Sequence, residues 1–218
     1  MQNIFTVALP LLATVTTNTA ILPFSSYKLQ GPPPPVEARP YSIIKEFEQE
    51  KTAIRKVAPE KPKEKRLICK GCNNYESRTL EFLQKKGITD KNALATIMGN
   101  IRQESTFIPN ICEGGSRTSY EGCRSGGYGL IQWTDSARYH GLGNHAYKIG
   151  ANPSALETQL DYMINEYDWK MIEGQMKTPG LTINDYMRLA RKWIRWGHHG
   201  ARTDFAYNYA SKMVLTKV

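Results

Sequence analysis

The sequence predicts a mainly α domain over residues 72–218, preceded by an extended N-terminal segment, and three observations predict it. Apolar residues recur at spacings of three and four through most of the second half of the chain, the period that places side chains on one face of a helix. Capping residues stand ahead of several of these stretches, with Gly or Pro after them. Alternating apolar and polar residues, the mark of a half-buried strand, are almost absent.

Taken in order, Ser77 is positioned to cap a helix carrying Leu80, Phe82 and Leu83 that stops at Gly87. Thr89 heads the next, with Leu94, Ile97, Met98 and Ile101 on its apolar side. Residues 108–128, rich in Gly, Ser, Cys and Tyr, read as a loop. Ser154 and Glu157 have capping-box spacing at the head of a long helix through Leu156, Leu160, Met163, Ile164 and Tyr167, and Thr178-Pro-Gly180 ends that stretch. Thr182 and Asp185 start another, through Tyr186, Leu189, Trp193 and Trp196 to Gly197. Thr203 opens a last helix with Phe205, Tyr209 and Met213.

The N-terminal part has a different composition. Residues 1–27 contain no charged side chain, and Phe5 to Val15 is largely apolar. A secretory signal, a membrane span and an apolar peg that docks into a larger assembly are the three readings. The first lacks the preceding Lys/Arg and has Asn18 rather than a small residue three positions before a cut after Ala20. The second is interrupted by Pro10 and several Thr/Asn. Residues 28–71 read as a Pro/Lys-rich linker: Gly31-Pro-Pro-Pro-Pro35 is a stiff spacer, a short helix fits residues 42–56, and Pro59, Pro62 and lysines follow. The compact domain is expected to start near Cys72.

A formal net charge of +9 favours polyanions, including the acidic polymers of a bacterial wall, although a mildly basic solvated surface explains it equally simply. No dense Lys/Arg run is interleaved with aromatics, so nucleic acid is not an expected partner. Cys69-Lys-Gly-Cys72, Cys112 and Cys123 do not have the two short pairs of a zinc ribbon. Disulfides are favoured over free thiols and metal, which implies an oxidising compartment. Cys112–Cys123 would close the Gly/Ser-rich loop; Cys69 and Cys72 pair with each other or elsewhere.

The chemistry centres on Glu104. Steps of four and three from Ile97 and Ile101 bring it onto the same helix side. An acid ending an apolar stripe loses hydration, which penalises its charged form, and the carbonyls of a helix C-terminus act in the same direction. A carboxyl that keeps its proton near neutral pH can protonate a leaving oxygen.

Two blocks extend this reading: Gly-Asn-x-x-x-Glu-Ser at 99–105 and Tyr-Gly-Leu-Ile-Gln-Trp at 128–133. Their order and separation resemble the bacteriophage tail-lysozyme family, a branch of the lysozyme-like superfamily that includes goose-type lysozymes and lytic transglycosylases. The resemblance implies a lysozyme-like helical domain with a small loop or β element over the cleft. It implies Glu104 as catalytic acid, with Ser105 beside it. Gln132 falls where the second block lines the sugar cleft, and an amide that donates and accepts suits sugar hydroxyls. Gly126, Gly127 and Gly129 either permit close backbone approach to a ligand or simply form a tight turn. Tyr128 and Trp133 either stack on sugar faces or plug the core.

Glu113, Glu121 and Asp135 are candidates for a second carboxylate, with Glu121 preferred. Retention calls for a separation of about 5–5.5 Å from the acid and inversion about 6.5–9.5 Å. If none approaches, a transglycosylase needs only one carboxyl. His140, His145 and the His198-His199 pair do not suggest metal ligands, and neither metal nor cofactor is expected. The histidine pair and Arg202 could border the cleft, while Arg102 is expected to face solvent.

The implied activity is cleavage of the β-1,4 bond between N-acetylmuramic acid and N-acetylglucosamine, by hydrolysis or transglycosylation. The substrate would be peptidoglycan glycan strands, met from a virion tail or after export to the periplasm or extracellular space. Residues 1–66 would then dock to tail or baseplate proteins. The competing reading is a virion structural protein whose domain binds glycan without cleaving it.

Overall fold

The computed structural model describes residues 65–217, and the expectations for the apolar N-terminal segment and most of the linker lie outside them. Strand β1 (Lys65–Cys69) pairs antiparallel with β2 (Met213–Lys217), Lys65 opposite Lys217 and Cys69 opposite Met213. Among the described residues, β1 lies ahead of Cys72, near which the compact domain is expected to start. Gln84 fastens β1 from the side: Leu67 N donates to its Oε1 (2.7 Å), and its Nε2 donates to Leu67 O (2.9 Å). Cys69 is disulfide-bonded to Cys72.

Eight helices follow. Helix α1 (Asn74–Lys85) starts at a capping box formed by Asn73 and Glu76, so Ser77 lies inside it rather than capping it. Helix α2 (Lys91–Ser105) is capped by Asp90, whose carboxylate accepts from Asn92 N and Ala93 N, one residue beyond the expected Thr89. A carboxylate reaches two orphan N–H groups there and has a charge complementary to the helix dipole. Every residue from Ala93 to Ile101 is buried, which makes α2 the central helix.

Helix α3 (Ser136–Lys148), capped by Asp135, has no counterpart in the sequence reading. Helix α4 (Leu156–Asn165) ends earlier than expected, because Glu166 turns extended and sends its carboxylate inward. Short helices α5 (Tyr167–Lys170) and α6 (Glu173–Lys177) continue the chain. The capping box expected at Ser154 is absent: Ser154 Oγ instead accepts from Tyr120 N (3.0 Å) and bonds the Tyr128 hydroxyl (2.7 Å). Helix α7 (Ile183–Ile194) has the expected Thr182–Asp185 box, and Arg195 closes it in the left-handed region before Gly197 is reached. Helix α8 (Arg202–Lys212) runs directly into β2.

The core lies between α2 and the helices around it. Trp133, Trp169 and Trp193 are fully buried, with Trp169 edge-on to Trp193 at 4.8 Å. Glu166 joins two of them, since its carboxylate accepts from Trp133 Nε1 (3.2 Å) and Trp193 Nε1 (2.8 Å). Arg138 completes the arrangement with a two-pronged contact to the same carboxylate at 2.9 and 2.8 Å. Arg102, expected to face solvent, is partly covered: it reaches the Tyr209 hydroxyl (3.4 Å) and lies over the Phe205 ring. Among the described residues, no helix is long and apolar enough to cross a membrane.

Candidate active site

Glu104 occupies the last turn of α2, where the buried stripe of Ile97 and Ile101 ends. Its side chain is 14% exposed. The helix stops immediately beyond it, with Thr106 and Phe107 both in the left-handed region at φ 51° and 63°. Phe107 is buried edge-on to Tyr209, which holds this sharp exit in place.

The first residue of the 99–105 block, Gly99, has a physical reason to be glycine. A Cβ there would lie 2.7 Å from both Arg202 O and Ala206 N, because the α8 backbone rests directly on α2. That close approach carries the first turn of α8 to the end of α2. Arg202, its first residue, is buried, and its Nη2 donates to Glu104 Oε1. The other terminal nitrogen, Nη1, donates to the carbonyls of His198 (2.7 Å) and His199 (2.6 Å). The guanidinium also lies 4.8 Å from the Trp196 ring. Gln103 steadies the same loop by accepting from Ala201 N (2.8 Å).

Glu104 faces a cavity of about 500 Å³ lined also by Gln103, Gln132, Trp196, His198 and Arg202. Thr134 lines both this cavity and a second one of about 420 Å³, and Arg195 links it to a third of about 480 Å³ that includes Tyr167. Burial pushes the Glu104 carboxyl above its ordinary range, while the charges of Arg202 and then Arg138 oppose that rise.

The other expected site residues are distributed unevenly. Gln132 lines the Glu104 cavity from a left-handed backbone (φ 51°), and its Nε2 donates to Gly129 O (3.0 Å). Ser105 is buried behind the acid, its hydroxyl donating to Leu130 O (2.8 Å), so it couples the two sequence blocks rather than facing the cavity. Gly129 (φ 76°) faces inward: a Cβ would meet the Gln159 carboxamide at 2.5 Å. Tyr128 is fully buried, hydroxyl-bonded to Ser154 and packed against Tyr120 and Tyr139, so it has no face for a sugar. Trp133 is a core residue as well.

No second carboxylate lines the Glu104 cavity among the described residues. Glu121, in a short 3-10 turn (Tyr120–Gly122), lines the neighbouring cavity with Arg124, Tyr139 and His140. Glu113 accepts from Gly127 N (2.9 Å), and Asp135 is occupied in capping α3. The Cys112–Cys123 disulfide closes this loop, which carries small β-bridges between Ile111 and Arg117 and between Cys112 and Tyr128. His198 lines the Glu104 cavity, whereas His145 is paired with Asp161 (3.1 Å).

Sequence reasoning did not find Gln159. It is fully buried, its Oε1 accepting from Leu130 N (2.9 Å) and its Nε2 donating to the carbonyls of Pro109 and Pro153. It thereby fixes the turn from which Gln132 projects. Nothing local in the sequence distinguishes it from any other glutamine on a helix.

A helical domain whose central helix ends in a largely buried glutamate facing an open cavity has the arrangement of a lysozyme-like domain. The chain belongs to the phage tail lysozyme family, with the match extending over residues 74–212. It is also similar to morphogenesis protein 1 of Bacillus phage B103, 35% identical over 89 residues. That stretch is 41% of this chain but 22% of the relative, so the two share only about a fifth of the larger protein's length.

Proposed function

We propose that the protein cleaves the glycan strands of peptidoglycan at the β-1,4 bond between N-acetylmuramic acid and N-acetylglucosamine, with Glu104 as the general acid. The observation that carries this reading is a carboxyl at the end of a buried helix stripe, facing a cavity of about 500 Å³, with burial favouring its protonated form. Such a group can deliver a proton to a glycosidic oxygen at a pH where an ordinary glutamate is ionised. Gln132, on the wall of the same cavity, offers an amide to sugar hydroxyl or N-acetyl groups. Two further cavities, sharing Thr134 and Arg195 respectively with this one, suit an extended polymer better than a small ligand. Membership of the phage tail lysozyme family is consistent with a role in wall penetration or lysis.

One observation favours a second outcome of the same chemistry. Among the described residues no other carboxylate lines the Glu104 cavity, and Glu121 lines the adjoining one instead. A transglycosylase, in which the muramic acid's own 6-hydroxyl displaces the leaving sugar, requires one carboxyl only. Mass spectrometry of the soluble fragments released from purified peptidoglycan tests both readings. Hydrolysis gives fragments with reducing ends, and transglycosylation gives 1,6-anhydro ends lighter by one water. Release that persists unchanged in E104Q would rule out Glu104 as the acid.

A further inference from the structure

We propose that Arg202 is a positioning residue that holds the Oε1 atom of Glu104 against the 196–201 loop and leaves Oε2 to carry the transferable proton. This rests on the catalytic reading of Glu104 for its functional meaning, but the geometry stands independently of it.

Arg202 does three things with one side chain that is 6% exposed. Nη2 donates to Glu104 Oε1, Nη1 donates to the carbonyls of His198 and His199, and the guanidinium plane lies over Trp196 at 4.8 Å. Nε has no partner among the described residues. The orientation of the fork is therefore set by the carboxylate, the two carbonyls and the ring, rather than by satisfying every donor. A buried guanidinium is costly to desolvate unless it is paired and hydrogen-bonded, so this arrangement resists displacement.

The consequence for Glu104 is chemical. An oxygen that already accepts an N–H from a cation is the poorer site for a proton. Oε2 accepts no hydrogen bond from the described residues, so the proton of the neutral acid belongs there. The same contact ties the acid to Trp196 and His198, which also line the cavity. The cations acting on Glu104 are Arg202 from α8 and, through space, Arg138 from α3, and Arg195 and the titratable side chain of His198 also line the cavity. Of these, Arg202 alone is in contact with the carboxylate among the described residues.

The test is a carbon-13 titration of glutamate carboxyls in the full chain, with the Glu104 signal identified by its absence in E104Q. In R202Q the Glu104 midpoint should rise by about one pH unit or more, a tenfold or greater gain in proton affinity. An unchanged midpoint in folded R202Q would overturn the proposal, because a merely structural arginine would not move it. A second readout needs no arginine variant. In the unaltered chain, the nitrogen-15 signals of the Arg202 guanidinium should shift through the Glu104 midpoint, and in E104Q they should not. Arg202 signals that stay flat through that midpoint in the unaltered chain would equally overturn it. Neither readout requires turnover, so an inactive chain would count against the catalytic reading alone.

Discussion

Gly99 and Arg202 meet backbone to backbone: a Cβ on residue 99 would come within 2.7 Å of the Arg202 carbonyl oxygen. The atoms it would strike belong to helix α8, which has no flexible side chain to move aside there. G99A should therefore push α8 away from α2 and cost about 1–3 kcal/mol of stability, the range for overpacking a tight interior. Because the displaced segment starts at Arg202, activity at a temperature well below unfolding should also fall. Urea denaturation followed by assays at 25 °C on the folded fraction would check both; wild-type stability in G99A would contradict the close approach.

The rise in the Glu104 pKa sets the sign of the pH dependence. Burial raises it and Arg202 only partly offsets the rise. A general acid works while protonated, so activity should be retained above the ordinary carboxylate range and fall as pH rises through the raised value. The corresponding variant, E104Q, should lose about two to four orders of magnitude in rate, the usual contribution of a general acid. Peptidoglycan solubilisation measured against pH at constant ionic strength gives the limb. A limb lying at or below an unperturbed glutamate would mean that burial does not dominate.

Much of this site was legible in the sequence, for local reasons. The Ile97–Ile101–Glu104 stripe follows from helical period alone, and the Thr182–Asp185 box is read directly from residue type and spacing. Asp90 and Asn73 took the caps assigned to Thr89 and Ser77 because propensity does not fix a boundary to the residue. Helix α3 was not legible for a different reason. Only Leu142 and Ala146 are buried on it, so it has no apolar stripe, and it contains Gly141 and Gly143. Those glycines are explained by distant partners: the hydroxyls of Tyr162 and Tyr120 occupy the space their Cβ atoms would need. Glu104 and Arg202 are likewise 98 residues apart, and no period connects them.

The two disulfides should differ in what they contribute. Cys112–Cys123 closes a loop with a sequence separation of 11, and Cys69–Cys72 one of 3. By loop-closure entropy the first is worth about 3 kcal/mol and the second about 2. The first also holds the segment that presents Glu121 and Arg124 to the cavity beside Glu104. The C112S/C123S pair of substitutions should therefore lower stability more than C69S/C72S and weaken substrate binding as well. Chemical denaturation and KM for a soluble glycan fragment measure the two effects; equal losses from both variants would show that loop length is not the controlling factor.

Glu166 offers the largest predicted effect of any residue outside the cavity. Its side chain is 4% exposed, and it accepts four hydrogen bonds, one from each of Trp133 and Trp193 and two from Arg138. E166Q replaces one acceptor oxygen by an NH2 group that must face a donor, and it strips a 13% exposed guanidinium of its closest counter-charge. Asp168, in a longer ion pair with Arg138 Nε at 3.7 Å and shared with Arg195 at 2.6 Å, remains as a weaker counter-charge. Breaking a buried pair by neutralising one partner costs about 3–5 kcal/mol. The loss should appear in urea unfolding followed by tryptophan fluorescence, since both indole N–H groups lose or exchange an acceptor. The double variant E166Q/R138M removes the charge left with Asp168 as its remaining close partner and should recover part of that loss. No recovery would mean that the indole contacts, rather than the ion pair, dominate the role of Glu166.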